Sequence, residues 1–259
     1  MGDLALVARQ ARFGLITASR NPRVMVFGIV FPVFLLVLFN GIFTKGGATT
    51  TLHGQQLDAD TYFTAAIAAY AIFMSCFNTL AISLTTQRET GQLKRLRGTP
   101  MPAWTFVAAQ IVRSIAMVVV MVSVLLAIGA AAFGVDVRAG SVPSLVLYVA
   151  LGTAATTTLG IGITALLPTA EAASSIVPFG TVILSFISGV FIPVSQLPDW
   201  LAQIGRVFPL YHLADGLQSS FLPGGHIRGG NVAVLVLWGV GGLVIAARRF
   251  RWEPQGAGA

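Results

Sequence analysis

SIAMVVVMVSVLLAIGAAAF, residues 114–133, runs for twenty residues without a charge. A helix rises about 1.5 Å per residue, so this stretch is about 30 Å long, the thickness of a bilayer's hydrocarbon core. Comparable apolar runs cover about 24–43, 62–84, 108–133, 143–167, 173–192 and 231–247, which predicts six membrane-crossing helices. The whole chain agrees. Its 259 residues are 55% hydrophobic and only 10% charged, and the mean hydropathy is +0.82. A soluble domain of this length needs far more polar surface, so an all-α polytopic membrane protein is expected.

Charge then orients the spans. The formal net charge of +7 reads as topology rather than as nucleic-acid binding. Eleven of the sixteen basic residues fall on one side: Arg9, Arg12, Arg20 and Arg23, then Arg88, Lys94, Arg95 and Arg97, then Arg248, Arg249 and Arg251. Lys45, Arg138, Arg206 and Arg228 fall on the other. The positive-inside rule therefore places both termini and the 85–103 loop in the cytoplasm, with the chain multi-pass in an inner or plasma membrane. Arg113 opens the third run. Helical side chains lean toward the N-terminus, so it is expected to snorkel to the cytoplasmic interface.

Residues 1–23 are expected to form an interfacial segment and not a cleavable signal. Leu4, Val7, Ala8, Ala11, Leu15 and Ala18 share one helical face, with Arg9, Arg12 and Arg20 on another. The apolar face should lie in the membrane surface, and Asn21-Pro22 should turn the chain into the first span. The external segment 193–230 is long and punctuated by Pro193, Pro198, Pro209, Pro223 and Gly224-Gly225. Two short amphipathic helices fit within it. Leu197, Trp200, Leu201 and Ile204 make one stripe; Leu210, Leu213, Ala214, Leu217 and Phe221 make the other. This segment is a candidate external gate, with Phe191, Pro193, Pro209 and Tyr211 along it. No three- or six-span repeat is visible, so inverted-repeat transporters are not supported.

The chemistry is mostly negative. Ion-coupled transporters place Asp, Glu or His inside their spans. Here Asp58, Asp60, Asp136, Asp199, Asp215 and the three histidines fall in external loops, and Glu171 falls in the turn between spans four and five. No buried acid is expected. HExxH, Gly-x-Ser-x-Gly and the phosphate-loop pattern are absent from the sequence, no catalytic or metal site is assigned, and the one cysteine, Cys76, reads as a packing residue. Asn40, Ser75, Asn78, Thr79, Thr181, Ser185 and Ser188 either bond helix to helix or line a path. With Phe73, Phe77 and Phe186 they would make that path apolar with scattered polar groups. Energy for uphill transport must then come from another polypeptide.

QRETGQLKRLRGTP, residues 87–100, offers the surface. As one helix over 87–98 it sets Glu89, Leu93 and Leu96 in a narrow apolar stripe, with Arg88, Gln92 and Arg95 beside it. Two leucines are too few to hold lipid but enough to plug a partner's groove, and Thr99-Pro100-Met101-Pro102 ends the helix. On these residues alone, a solvated basic loop reads equally well.

Three sets of residues carry a resemblance. Glu89, Gly91, Leu93, Leu96, Arg97, Thr99 and Pro100 make the first; Asn21-Pro22-Arg23 with Phe31-Pro32 makes the second. The third is Ser188-Gly189-Val190-Phe191-Ile192-Pro193, Leu197-Pro198, Phe208-Pro209-Leu210 and Ala214-Asp215-Gly216. In this order the chain resembles type-2 ABC exporter permeases of the daunorubicin and antibiotic-resistance kind. That resemblance implies a single permease domain over 1–259, paired with a second identical or related permease chain and with two separate ATPase subunits. It implies no nucleic-acid partner and no cofactor on this chain, with ATP and Mg on the ATPases. Arg88, Glu89, Gly91, Gln92, Leu93, Lys94, Arg95, Leu96 and Arg97 would form the ATPase contact, a coupling helix. Asn40, Phe73, Phe77, Asn78, Ser185 and Ser188 would line the path of an amphiphilic drug, lipid or glycan-like substrate. A self-sufficient channel and a non-transporting membrane scaffold are the alternatives.

Overall fold

The computed structural model of the protein describes residues 3–20, 26–43, 47–98, 102–223 and 227–249. The expectations for Asn21-Pro22-Arg23, Thr99-Pro100-Met101, Gly224-Gly225, Lys45, His226 and Arg251 lie outside those residues. The chain starts with α1 (Asp3–Ser19), a π-helical turn (Val26–Val30) and α2 (Phe31–Phe43). β1 (Thr49–Leu52) and β2 (Gln55–Asp58) then pair as an antiparallel hairpin. A long helix follows in three parts: α3 (Ala59–Phe73), a π-helical stretch (Met74–Asn78) and α4 (Thr79–Glu89). Beyond it come α5 (Gln92–Arg97), α6 (Ala103–Phe133), α7 (Val142–Ile163) and α8 (Ala170–Ile187), then α9 (Asp199–Gly205), α10 (Pro209–Ser219) and α11 (Gly229–Arg249).

Five helices among the described residues are long and apolar enough to cross a membrane: Ala59–Glu89, Trp104–Phe133, Ala139–Ile163, Ala170–Ile187 and Gly229–Arg248. Gly28–Phe43 is apolar but shorter. The protein is thus all-α and polytopic, apart from the hairpin. Its strands were not foreseen, because only Leu52 and Leu57 turn inward from them.

The core is built around α3. Every residue of it except Asp60 is buried, and α2, α6, α7 and α10 all pack on it. Its alanines (Ala65, Ala66, Ala68, Ala69 and Ala71) let neighbouring backbones come close, which is how helices gain packing energy where lipid offers no hydrophobic drive. The most extensive helix pair is α7 with α11. Gly242 makes it possible, since a Cβ there would lie 2.6 Å from the backbone nitrogen of Leu159.

Four expectations change. On α1 it is Val7 and Ala11 that are buried, and α6 is the helix this element packs on. Phe13 and Ile16 are exposed instead, so the small-residue stripe holds the protein and the larger residues are left for lipid. Gly14 sits where Arg113 crosses, and a Cβ on it would meet the Arg113 Cδ at 2.5 Å. The helix of the fifth expected span, α8, stops at Ile187, not near 192, because Gly189 takes φ +75°. Tyr62 donates to the Gly189 carbonyl at 2.7 Å and fixes that turn. The stripe on α9 faces outward at Trp200 and Ile204, whereas Leu210, Leu213, Ala214, Leu217 and Phe221 are all buried as expected. Asp215, finally, is buried on α10. Its carboxylate is tolerated there because other side chains satisfy it, as described below.

Gly242→Leu should destabilise the chain by about 1–3 kcal/mol through overpacking, while Gly241→Leu should not, since nothing lies within 4 Å of a Cβ at that position. Thermal unfolding of the two variants in detergent compares them directly.

Candidate functional site

The charged segment is not one helix. The long helix continues through Glu89, and Thr85, Thr86 and Thr90 bond back to carbonyls four residues earlier. Gly91 then takes φ +70°, a left-handed conformation that L side chains adopt only at a cost. That break separates α4 from the six-residue α5. Arg88 and Glu89 are therefore the last residues of the long helix, and the expected stripe of Glu89, Leu93 and Leu96 does not form on a single helical face.

Arg88 corrects the assignment most. It was expected on the partner-facing surface, yet it is 2% exposed. Its Nη1 donates to the Thr164 carbonyl at 2.8 Å. Its Nη2 donates to the carbonyls of Leu167 at 2.5 Å and Pro168 at 3.1 Å. The Thr164 carbonyl lies at the C-terminus of α7, where helix carbonyls lack intrahelical donors and carry the negative end of the dipole, and the other two lie in the turn that leads to α8. A guanidinium's fixed fork of donors suits them. Glu89 does the opposite job. Its Oε1 accepts the Ala170 N–H at 2.7 Å, at the positive N-terminus of α8.

Leu93 also turns inward. It is buried with Leu80, Leu84, Phe106, Ile161 and Ala246, and Leu96 is half-buried against the same cluster. The leucines thus anchor α5 to its own chain rather than standing free for a partner's groove, because the body of the protein supplies the apolar surface first. Glu89, Gln92, Lys94 and Arg95 are exposed, and Gly91 is half-buried. The side chain of Arg97 lies outside the described residues.

The expected path residues divide into two groups. Deeper toward the basic end, Phe73 and Phe77 have ring centroids 4.8 Å apart. Thr181 donates to Asn78 Oδ1 at 2.7 Å, and Ser185 donates to the Thr181 carbonyl at the same distance. The Thr181–Asn78 bond ties α8 to the π-helical stretch, while the Ser185 bond stays within α8. Toward the other end, Asn40 Nδ2 donates to Thr64 Oγ1 at 3.3 Å, and the Ser188 Oγ is buried without a hydrogen-bond partner among the described residues. Phe191 lies in an aromatic cluster beside them, with ring centroids 5.3 Å from Phe39, 5.2 Å from Tyr70 and 5.2 Å from Phe186. Phe43 and Phe63 extend it. The sequence signal for Phe39 and Phe43 was their spacing of four on one helix face. Phe63 and Tyr70 carried no such signal within a run that is apolar throughout. Both Phe43 and Phe186 are exposed, so the cluster is open on one side.

At the end opposite the basic segment, Pro193 and Pro209 are buried, and Tyr211 is packed edge-on against His212. Burial pushes the Tyr211 phenol up, and the nearby Asp215 carboxylate pushes it the same way. Asp215 is the hub. Its Oδ1 lies 2.6 Å from His53 Nε2, its Oδ2 accepts from Asn231 Nδ2 at 2.6 Å, and Arg228 Nε stands 3.9 Å away. His212 Nδ1 is 2.9 Å from Asn231 Oδ1. Sequence reasoning missed this network because His53, Asp215 and Asn231 are far apart in the chain. One local signal was available. His53-Gly54 forms a two-residue hairpin turn with both φ positive (51° and 78°), where Asn, Asp or Gly is usual.

Such a bundle, with one end basic and self-anchored and the other held by a polar latch, defines a polytopic membrane protein organised around the long helix Ala59–Glu89. The comparisons with known proteins narrow that class. The family model described as "ABC-2 type transporter" matches residues 5–222, so the chain belongs to the ABC-2 type transporter family. YvfS of Bacillus subtilis (strain 168), a protein named as a transport permease by inference, is 21% identical over 221 residues, covering 85% of this chain and 86% of that relative.

Replacing Arg88 with Ala should lower the stability of the isolated chain by about 3 kcal/mol, since charged hydrogen bonds are lost from carbonyls that stay buried. Lys94→Ala should leave it unchanged. Thermal unfolding of both variants in detergent, with no partner present, checks the interior placement of Arg88.

Proposed function

We propose that the protein is the permease subunit of an ATP-driven exporter and that a separate ATPase subunit docks on α5. The observation that carries this reading is the two-sided character of α5. Its leucines are sunk into the membrane-embedded body, while Gln92, Lys94 and Arg95 face outward. A helix fixed on one side and charged on the other suits a load-bearing contact better than a solvated loop, and the basic charges give it electrostatic selectivity for an acidic groove. Membership of the ABC-2 type transporter family supports the same reading. The sequence has no phosphate-binding loop of its own, which fits ATP hydrolysis in a partner.

In this reading the apolar helix Gly28–Phe43 is the first of six crossings, and both termini and the basic segment are cytoplasmic. A second permease chain completes the membrane core. The exposed apolar residues of α2 and α8, Phe34, Val37, Phe179 and Ile183 among them, supply surface for that chain and for lipid. The path runs beside the open aromatic cluster around Phe191, with Asn40 and Ser188 as its polar groups and Pro193, Pro209 and Tyr211 in the cap above. An apolar wall with few hydrogen-bonding positions suits an amphiphilic drug, lipid or glycan-like substrate.

Lys94→Glu with Arg95→Glu should weaken binding of the co-purifying ATPase subunit at least tenfold and abolish ATP-dependent transport in proteoliposomes, with thermal stability unchanged. Full ATPase binding and transport in this variant would overturn the docking assignment. Flux through the chain alone without ATP would favour a channel instead.

A further inference from the structure

Arg88 and Glu89 are neighbours in sequence but hold two different helices. Arg88 is buried and grips the end of α7 through the Thr164 carbonyl and the turn after it through the carbonyls of Leu167 and Pro168. Glu89 holds the N-terminal end of α8 through one bond and is exposed. The two arms therefore differ in how easily they let go. Water and ions compete for an exposed, single carboxylate bond, whereas they have no access to the buried fork. Glu89 is also only two residues from Gly91, at the start of α5, so its exposed carboxylate lies close to anything that docks on α5.

We infer that Glu89 is a releasable cap on α8, and that docking on α5 frees the first turn of α8 by displacing this carboxylate from the Ala170 N–H while Arg88 keeps the end of α7 and the turn after it fixed. The inference rests on the docking reading above and adds what docking does. Ala170 loses its side-chain acceptor, leaving Thr169 Oγ1, which accepts the Ala172 N–H at 3.1 Å, as the remaining cap. The first turn of α8 loosens, and α8 bears Phe186 of the aromatic cluster and Thr181 and Ser185 of the polar chain. Glu89 is a positioning residue here, acting on the path only through α8. The hinge is then at Thr169 and Ala170, just past the last carbonyl that Arg88 holds.

Hydrogen–deuterium exchange of the full chain in lipid nanodiscs tests this, read at the amides of 169–173 and, separately, of 159–165. In the isolated chain Glu89→Ala should speed exchange at 169–173 by about fivefold, the usual effect of losing a helix cap. Glu89→Gln, which keeps an acceptor, should change it little. Adding the ATPase subunit should speed exchange at 169–173 in the natural sequence, add nothing to Glu89→Ala, and leave 159–165 unchanged. Two results would overturn the proposal: natural exchange in Glu89→Ala, or a bound ATPase subunit that leaves 169–173 protected. If no ATPase subunit binds at all, the docking reading fails and release fails with it, but the cap itself is still decided by the isolated chain.

Discussion

In a bilayer each backbone polar group must find its partner inside the protein, and apolar side chains gain nothing by leaving lipid for one another. The structure answers both constraints with the long helix Ala59–Glu89. Its first half is alanine-rich and buried on all sides, so four other helices approach it closely. Its middle, Met74–Asn78, is π-helical and leaves carbonyls off the regular ladder. Gly160 of α7 lies directly against those carbonyls, and a Cβ there would be 2.7 Å from the Cys76 oxygen. Thr153, Thr156 and Thr158 on α7 return their hydroxyls to their own helix carbonyls, so they can sit in the core without an unmet donor.

A central post of this kind joins the two ends of the molecule mechanically. At one end it carries Arg88, Glu89 and the turn into α5. At the other, the hairpin leads into it, and His53 ties that hairpin to α10 through Asp215. The aromatic cluster lies between, with Tyr70 on the post and Phe191 just past α8. The basic segment is thus joined to the cluster both along the post, through Tyr70, and by way of α8, which bears Phe186.

The membrane class and most helix positions were legible in the sequence, because an apolar run of bilayer length is stable as little else than a membrane-crossing helix. The inward stripe on α10 was legible for the same reason that any amphipathic helix is. What escaped were the relations between segments. Leu93 looked like a partner's anchor because its spacing said nothing about the cluster of Leu80, Phe106 and Ile161 waiting beside it. Arg88 looked exposed because buried arginine is rare, and its acceptors are main-chain carbonyls that no sequence pattern marks. Gly91 was readable as a family motif residue but not as the break that reassigns Glu89 to the end of the long helix. On α1, the pattern located the apolar face correctly but could not say whether protein or lipid would cover it.

The two polar latches differ in a way that bears on how each constrains the sequence. The Arg88 latch depends on one side chain, since its acceptors are the backbone carbonyls of Thr164, Leu167 and Pro168 and persist whatever residue stands there. The Asp215 latch needs His53, Asn231 and Asp215 together, each a side chain that a single substitution removes. A chain with only nine acidic residues has few carboxylates to set against its sixteen cations. Using main-chain carbonyls as the counter-charge for Arg88 leaves Glu89 available for the N-terminus of α8, so two adjacent residues hold the end of α7, the turn after it and the start of α8.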